Sequence, residues 1–112
     1  MRLSQGPEID SINPGNNLYW YYATLGSLLI ESDINIEEGM EYNQKAIDLS
    51  IEVYPDYHPF LLTTKGLGNF KLGKYQEALK YFKMAEERTT LYNHRLHEFI
   101  LETQKALASQ NQ

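Results

Sequence analysis

From Leu18 onward the apolar positions recur with a helical period. Leu18, Tyr22, Leu25 and Leu29 fall four, three and four residues apart. The spacing predicts a helix over Leu18 to Glu31 with this stripe turned inward, capped by Asn16 or Asn17. Trp20, Tyr21, Leu28 and Ile30 widen its apolar surface beyond what one packing partner requires. A polar turn, Ser32 to Asn35, leads through an Asn35 cap into a second helix, Ile36 to Tyr54, whose buried side is expected to carry Gly39, Asn43, Ala46, Ile47, Ser50 and Tyr54. Pro55 ends it, because proline offers no amide hydrogen to the ladder. Pro59 suits the first turn of a third helix, Pro59 to Leu72. Gly73 suits the left-handed position that closes a helix. A fourth helix, Tyr75 to Arg88, aligns Tyr75, Ala78, Phe82 and Ala85 on one face. Asn93 is placed to cap a fifth, His94 to Ser109, with Leu96, Phe99, Ile100, Thr103 and Leu107 on its apolar side and Glu98, Glu102 and Lys105 on its wet side. The chain reads as all-α. Residues 1–15 hold Gly6, Pro7, Pro14 and Gly15 without a sustained period and are expected to form a flexible arm or linker. The helical domain is expected over 16–109, and residues 110–112 to fray.

The first four predicted helices carry an internal echo. Gly26 and Gly66 lie 40 residues apart, Gly39 and Ala78 lie 39 apart, and so do Ala46 and Ala85. In each copy a small residue on one helix meets a small residue on the next, which lets two backbones approach. Gly26 is expected to nestle on Gly39 as Gly66 does on Ala78. A glycine inside a helix costs about 1 kcal/mol against alanine, so close contact is the natural reason to find one. The upstream copy is degenerate, with Asn43 in the place of the aromatic Phe82 and Asp33 in the place of the turn glycine. The run Gly66, Phe70, Gly73, Tyr75, Ala78, Phe82, Ala85 resembles the tetratricopeptide repeat, in its long-repeat form because the offset exceeds the usual period of roughly 34 residues. The resemblance implies two stacked helical hairpins, a closing helix, and a groove lined by the first helix of each hairpin.

The connector Tyr54-Pro55-Asp56-Tyr57-His58-Pro59 is similar to one in the long repeats of kinesin light chain. It is also similar to one in the C-terminal helical region of SET-MYND lysine methyltransferases. In the latter the order is a second helix such as Gly39 to Ile47, the connector, paired glycines such as Gly66 and Gly73, and a closing helix such as the one from His94. These resemblances imply two alternatives: a substrate-cleft or regulatory lobe of a methyltransferase, or a cargo-binding segment of an adaptor.

Composition narrows the classes. The chain has 112 residues, one small domain's worth, with 42% hydrophobic and 22% charged residues, as expected of an ordinary globular fold. A net charge of −5 argues against general nucleic-acid binding. No apolar run approaches the 18 or so residues of a membrane span, and no signal-peptide pattern opens the chain. The absence of cysteine excludes disulfides, thiolate metal sites and cysteine nucleophiles. An intracellular location, cytoplasmic or nuclear, is the expectation.

Candidate chemistry is sparse. His94 and His97 stand one turn apart without an obvious third ligand, too little for a metal centre. The neighbouring carboxylates Glu37 and Glu38, like Glu86 and Glu87, point to different sides of their helices and are not an acid/base pair. No phosphate loop, nucleophile elbow or zinc pattern is present. The expectation is therefore no catalysis, no cofactor and no metal. Carried over from the repeat resemblance, the groove positions are Trp20, Ala23, Ser27, Ile30 and Glu31 from the first copy. The second supplies Phe60, Thr63, Leu67, Phe70 and Lys71. The Lys and Asn that let some tetratricopeptide domains clamp a C-terminal carboxylate are missing, since Ala23, Ser27, Thr63 and Leu67 stand there. What the resemblance leaves is a largely apolar wall suited to a protein or peptide, to other domains of a longer chain, or to a second copy.

Overall fold

The structure, a computed structural model, describes residues 14–53 and 58–110, and these form five α-helices without a strand. In chain order they are α1 (Pro14–Glu31), α2 (Ile36–Val53), α3 (His58–Lys71), α4 (Tyr75–Arg88) and α5 (His94–Gln110). The expected arm up to residue 13, the connector residues Tyr54, Pro55, Asp56 and Tyr57, and the last two residues lie outside the described part. Helix α1 starts at Pro14 rather than near Leu18, so Asn16 and Asn17 sit inside its first turn instead of capping it. A proline loses nothing at a first helical position, where the amide has no partner anyway.

Local signals set the other ends. Asn35 Oδ1 accepts the Glu38 amide at 3.0 Å, and Asn93 Oδ1 accepts the Leu96 amide at 3.0 Å, so both expected caps are formed. At the end of α3 the Lys74 amide donates to the Asn69 carbonyl at 2.8 Å and the Gly73 amide to the Phe70 carbonyl at 3.0 Å. With Gly73 at φ +81° this is a Schellman closure. At the equivalent place after α1, Asp33 takes φ +62° and its amide reaches the Ile30 carbonyl at 3.2 Å. The degenerate turn therefore keeps the left-handed geometry without the glycine, which a short Asp tolerates better than most residues.

Helix α1 packs on α2 and α3 on α4, giving two hairpins, and α2 against α3 joins them. Helix α5 lies on α4 and touches α3. Helix α3 is therefore enclosed on several sides, and its neighbouring leucines serve different cores. Leu61 joins Tyr19, Ala23, Ala46 and Ile47 under the first hairpin. Leu62 joins Ala78, Phe82, Ala85, Leu96 and Ile100 under the second.

The two hairpins fill corresponding positions differently. A methyl group added to Gly26 would lie 2.8 Å from the Asn43 backbone nitrogen and 2.9 Å from the Gly39 carbonyl oxygen, so these helices touch backbone to backbone. A methyl on Gly66 would instead meet the Phe82 ring at 2.6 Å. Gly66 thus accommodates the aromatic, with Phe82 rather than Ala78 as its nearest neighbour. Asn43, in the position corresponding to Phe82, is fully buried and donates through Nδ2 to the Leu61 carbonyl at 3.2 Å. A smaller side chain there lets the first hairpin close more tightly.

That tight approach rotates α1 away from the sequence expectation. Its inward residues are Tyr19, Ala23, Gly26 and Ile30, all buried. Leu18 is 47% exposed, and Tyr22, Leu25 and Leu29 are only partly covered. The stripe with the greatest apolar content does not face the core. The helix turns this side inward because Gly26 at its middle admits α2 at backbone contact, while Tyr19 and Ile30 are buried on either side of it.

Candidate functional site

Between α3 and α5 lies a recess of about 160 Å³. Its walls are Pro59, Phe60, Thr63, Thr64 and Leu67 from α3, Thr89 and Asn93 from the following loop, and Arg95, Leu96 and Phe99 from the first turns of α5, with Glu31 of α1 at the rim. The loop of residues 89–93 returns the chain so that α5 begins beside α3, which places its first turns opposite Phe60 and Leu67. Phe99 is held by stacking on Phe82, with centroids 5.3 Å apart and planes 15° apart. Arg95 spreads over the Phe99 ring at 5.1 Å and points a guanidinium nitrogen to within 3.9 Å of Glu31. Glu31 also accepts the Ser27 hydroxyl at 3.0 Å.

The polar groups along the recess are largely spoken for. Thr63 donates to the Pro59 carbonyl at 2.9 Å and Thr64 to the Phe60 carbonyl at 3.2 Å. The ionisable groups that line it are Glu31 and Arg95, and they face each other. The recess is smaller than the roughly 300–1,000 Å³ of small-molecule sites. Its size and lining suit one bulky apolar side chain. Among the described residues no cluster of three or more His, Asp or Glu side chains converges on a possible metal position. No helix among them is long and apolar enough to cross a membrane.

The structure separates the expected groove residues. Phe60 and Leu67 meet in the recess, with Phe60 49% exposed. Trp20 and Ser27 lie on the Glu31 side of α1, outside the recess lining, and Trp20 is edge-on to Tyr19 at 5.1 Å. Ala23 and Ile30 do not belong to the wall: both are buried. Ile30 packs against Gly39 and Gly68 where the two hairpins meet. Phe70 turns to Tyr75, with centroids 5.2 Å apart, and packs against the second core. Lys71 is withdrawn as well: its Nζ donates to the Ile30 and Glu31 carbonyls at 3.0 and 3.2 Å and pairs with Asp33 at 3.1 Å. It thereby caps the negative end of α1, where a cation is favoured.

Arg95, Leu96 and Phe99 were not legible as site residues. Their amphipathic spacing marks one face of α5 for burial and says nothing of which part stays accessible. Gly68 was missed for a related reason: the side chains that need its missing Cβ, Met40 and Ile30, come from the other hairpin. The joint also has polar contacts, with Lys65 reaching Gln44 of α2 while lying 4.6 Å over the Tyr81 ring of α4.

The geometry defines a class, a stack of two helical hairpins closed by a fifth helix with a small apolar recess on one side. No family model, curated protein or solved structure matches the chain.

Proposed function

We propose that this chain is a non-catalytic interaction module of tetratricopeptide-like build, which takes a bulky apolar side chain of a partner peptide into the recess between α3 and α5. One observation carries the reading: Phe60 stands half exposed beside a recess walled by Leu67, Leu96 and Phe99. An accessible aromatic next to a concave apolar surface is a suitable anchor for a peptide. The Glu31–Arg95 pair at the rim offers a partner both signs of charge, which favours a peptide with polar residues flanking its anchor.

The test is selection of random displayed peptides on the immobilised full chain, followed by anisotropy titration of the enriched sequences. Phe60→Ala should weaken their binding by roughly tenfold or more while leaving the melting temperature close to wild type. Trp20→Ala reports whether the binding wall extends along α1. Phe70→Ala is unsuitable because it would disturb the contact with Tyr75. Failure to enrich any peptide, or enriched peptides indifferent to Phe60→Ala, would overturn the proposal.

A further inference from the structure

The two halves of the described chain carry opposite charge. Residues 14–53 hold seven acids against the single base Lys45, a formal −6, while residues 58–110 hold eight bases against five acids, a formal +3. Part of the acidity of the first hairpin is answered within the fold. Glu31 faces Arg95 and Asp33 pairs with Lys71, and Glu37 and Glu38 suit the positive end of α2. The other three acids have no such account. Exposed Glu41 lies in the second turn of α2, past the reach of the dipole. Asp48, also exposed, accepts the neutral Gln44 amide at 3.0 Å. Glu52 stands in the last turn, where the dipole opposes an anion.

Beside these acids three tyrosines touch one another. Tyr22 stacks on Tyr42 with centroids 5.8 Å apart, and Tyr21 lies edge-on to Tyr42 at 6.3 Å. The rings already attract a cation, since Lys45 Nζ lies 5.3 Å from the Tyr22 ring centre and 5.7 Å from that of Tyr42. Glu38 stands one turn before Tyr42 and Lys45 one turn after it, so both share its side of α2. Past the tyrosines α1 shows Leu18 and Leu28, 47% and 57% exposed. Tyrosine faces and leucines rimmed by excess carboxylates suit cations flanked by apolar groups. The same carboxylates repel phosphate, which disfavours nucleic acid and anionic bilayers, and a second copy on this face would set acids against their own kind. We propose that the α1–α2 face binds a basic amphipathic segment of a partner protein. Its arginine or lysine side chains lie over the tyrosines beside Glu38 and Glu41, and its apolar side lies on Leu18 and Leu28.

The test is an anisotropy titration of the full chain against a labelled amphipathic peptide of about 18 leucine and arginine residues with helical spacing. Wild type should bind it, and should bind a scrambled peptide of the same composition roughly tenfold more weakly, because the scramble has no apolar side. Glu38→Gln with Glu41→Gln should weaken binding by roughly tenfold, and Tyr42→Leu by about threefold, with helical circular dichroism unchanged. Glu86→Gln with Glu87→Gln removes the same charge from α4 and should leave binding within about twofold, which separates a site from net charge. Phe60→Ala should leave it unchanged, so failure here is distinct from failure at the recess. Absence of binding overturns the proposal. So does equal binding of the scrambled peptide, an equal loss in the α4 variant, or a wild type that sediments as a dimer dispersed by Leu28→Glu.

Discussion

At the residue scale, the fold turns on places where a single carbon has no room. Gly26 is the sharpest, because a Cβ there would strike the backbone of α2 rather than a side chain that could swing aside. Gly26→Ala should cost about 1–3 kcal/mol, seen as a lowered urea midpoint. Gly73 is a different case, since nothing lies within 4 Å of an added Cβ but its φ is +81°. Gly73→Ala should therefore cost about 1–2 kcal/mol from backbone strain alone, with no repacking of the core. The pairing of Gly26 with Gly39 could be read from the repeat offset, because both partners belong to one hairpin. Gly68 could not, since its crowding neighbours Ile30 and Met40 reach it across the joint between hairpins.

At the element scale, helix boundaries follow local chemistry and helix faces do not. Asn35, Asn93 and Gly73 act within a few residues of themselves, so their roles were visible in the sequence. Which side of α1 turns inward depends on α2, and the leucine-rich stripe loses to the one whose Gly26 lets α2 approach at backbone contact. The joint between hairpins carries a further consequence. Ser50 donates its only proton to the Ile47 carbonyl at 2.8 Å, so the contact with His58 Nδ1 at 3.0 Å requires the imidazole to be the donor. Burial, and next the nearby Arg88, hold the His58 pKa below its ordinary 6.5. The unfolded chain therefore binds this proton more readily than the folded one. His58 leaves stability unimpaired above about pH 6.5 and reduces it as the pH falls from there through the lowered folded value. Thermal melts between pH 7.5 and 5 should show this decline, and His58→Gln should make it shallower. An unchanged pH profile in that variant would place the proton uptake elsewhere.

At the scale of the whole molecule, α5 closes the second core and forms one wall of the recess. Ile100 is 4% exposed and lies against Leu62, Phe82 and Ala85. Ile100→Ala should cost about 2–5 kcal/mol in chemical denaturation. Truncation after Thr90 removes Leu96, Phe99 and Ile100 together, and should replace the cooperative melt with a broad transition and dye-accessible apolar surface. The sequence alone determined that the chain is helical, where four of its five helices begin and end to within a residue or two, and that two similar hairpins follow one another. Period, caps and turn residues act over a few positions, so no distant contact was needed. Only the tertiary structure decided that Ile30 and Lys71 serve the joint between hairpins, that α5 supplies one wall of the recess, and that the leucine stripe of α1 lies outside. Each of these depends on how closely two backbones separated by many residues can approach, and that distance is set by packing across the whole stack.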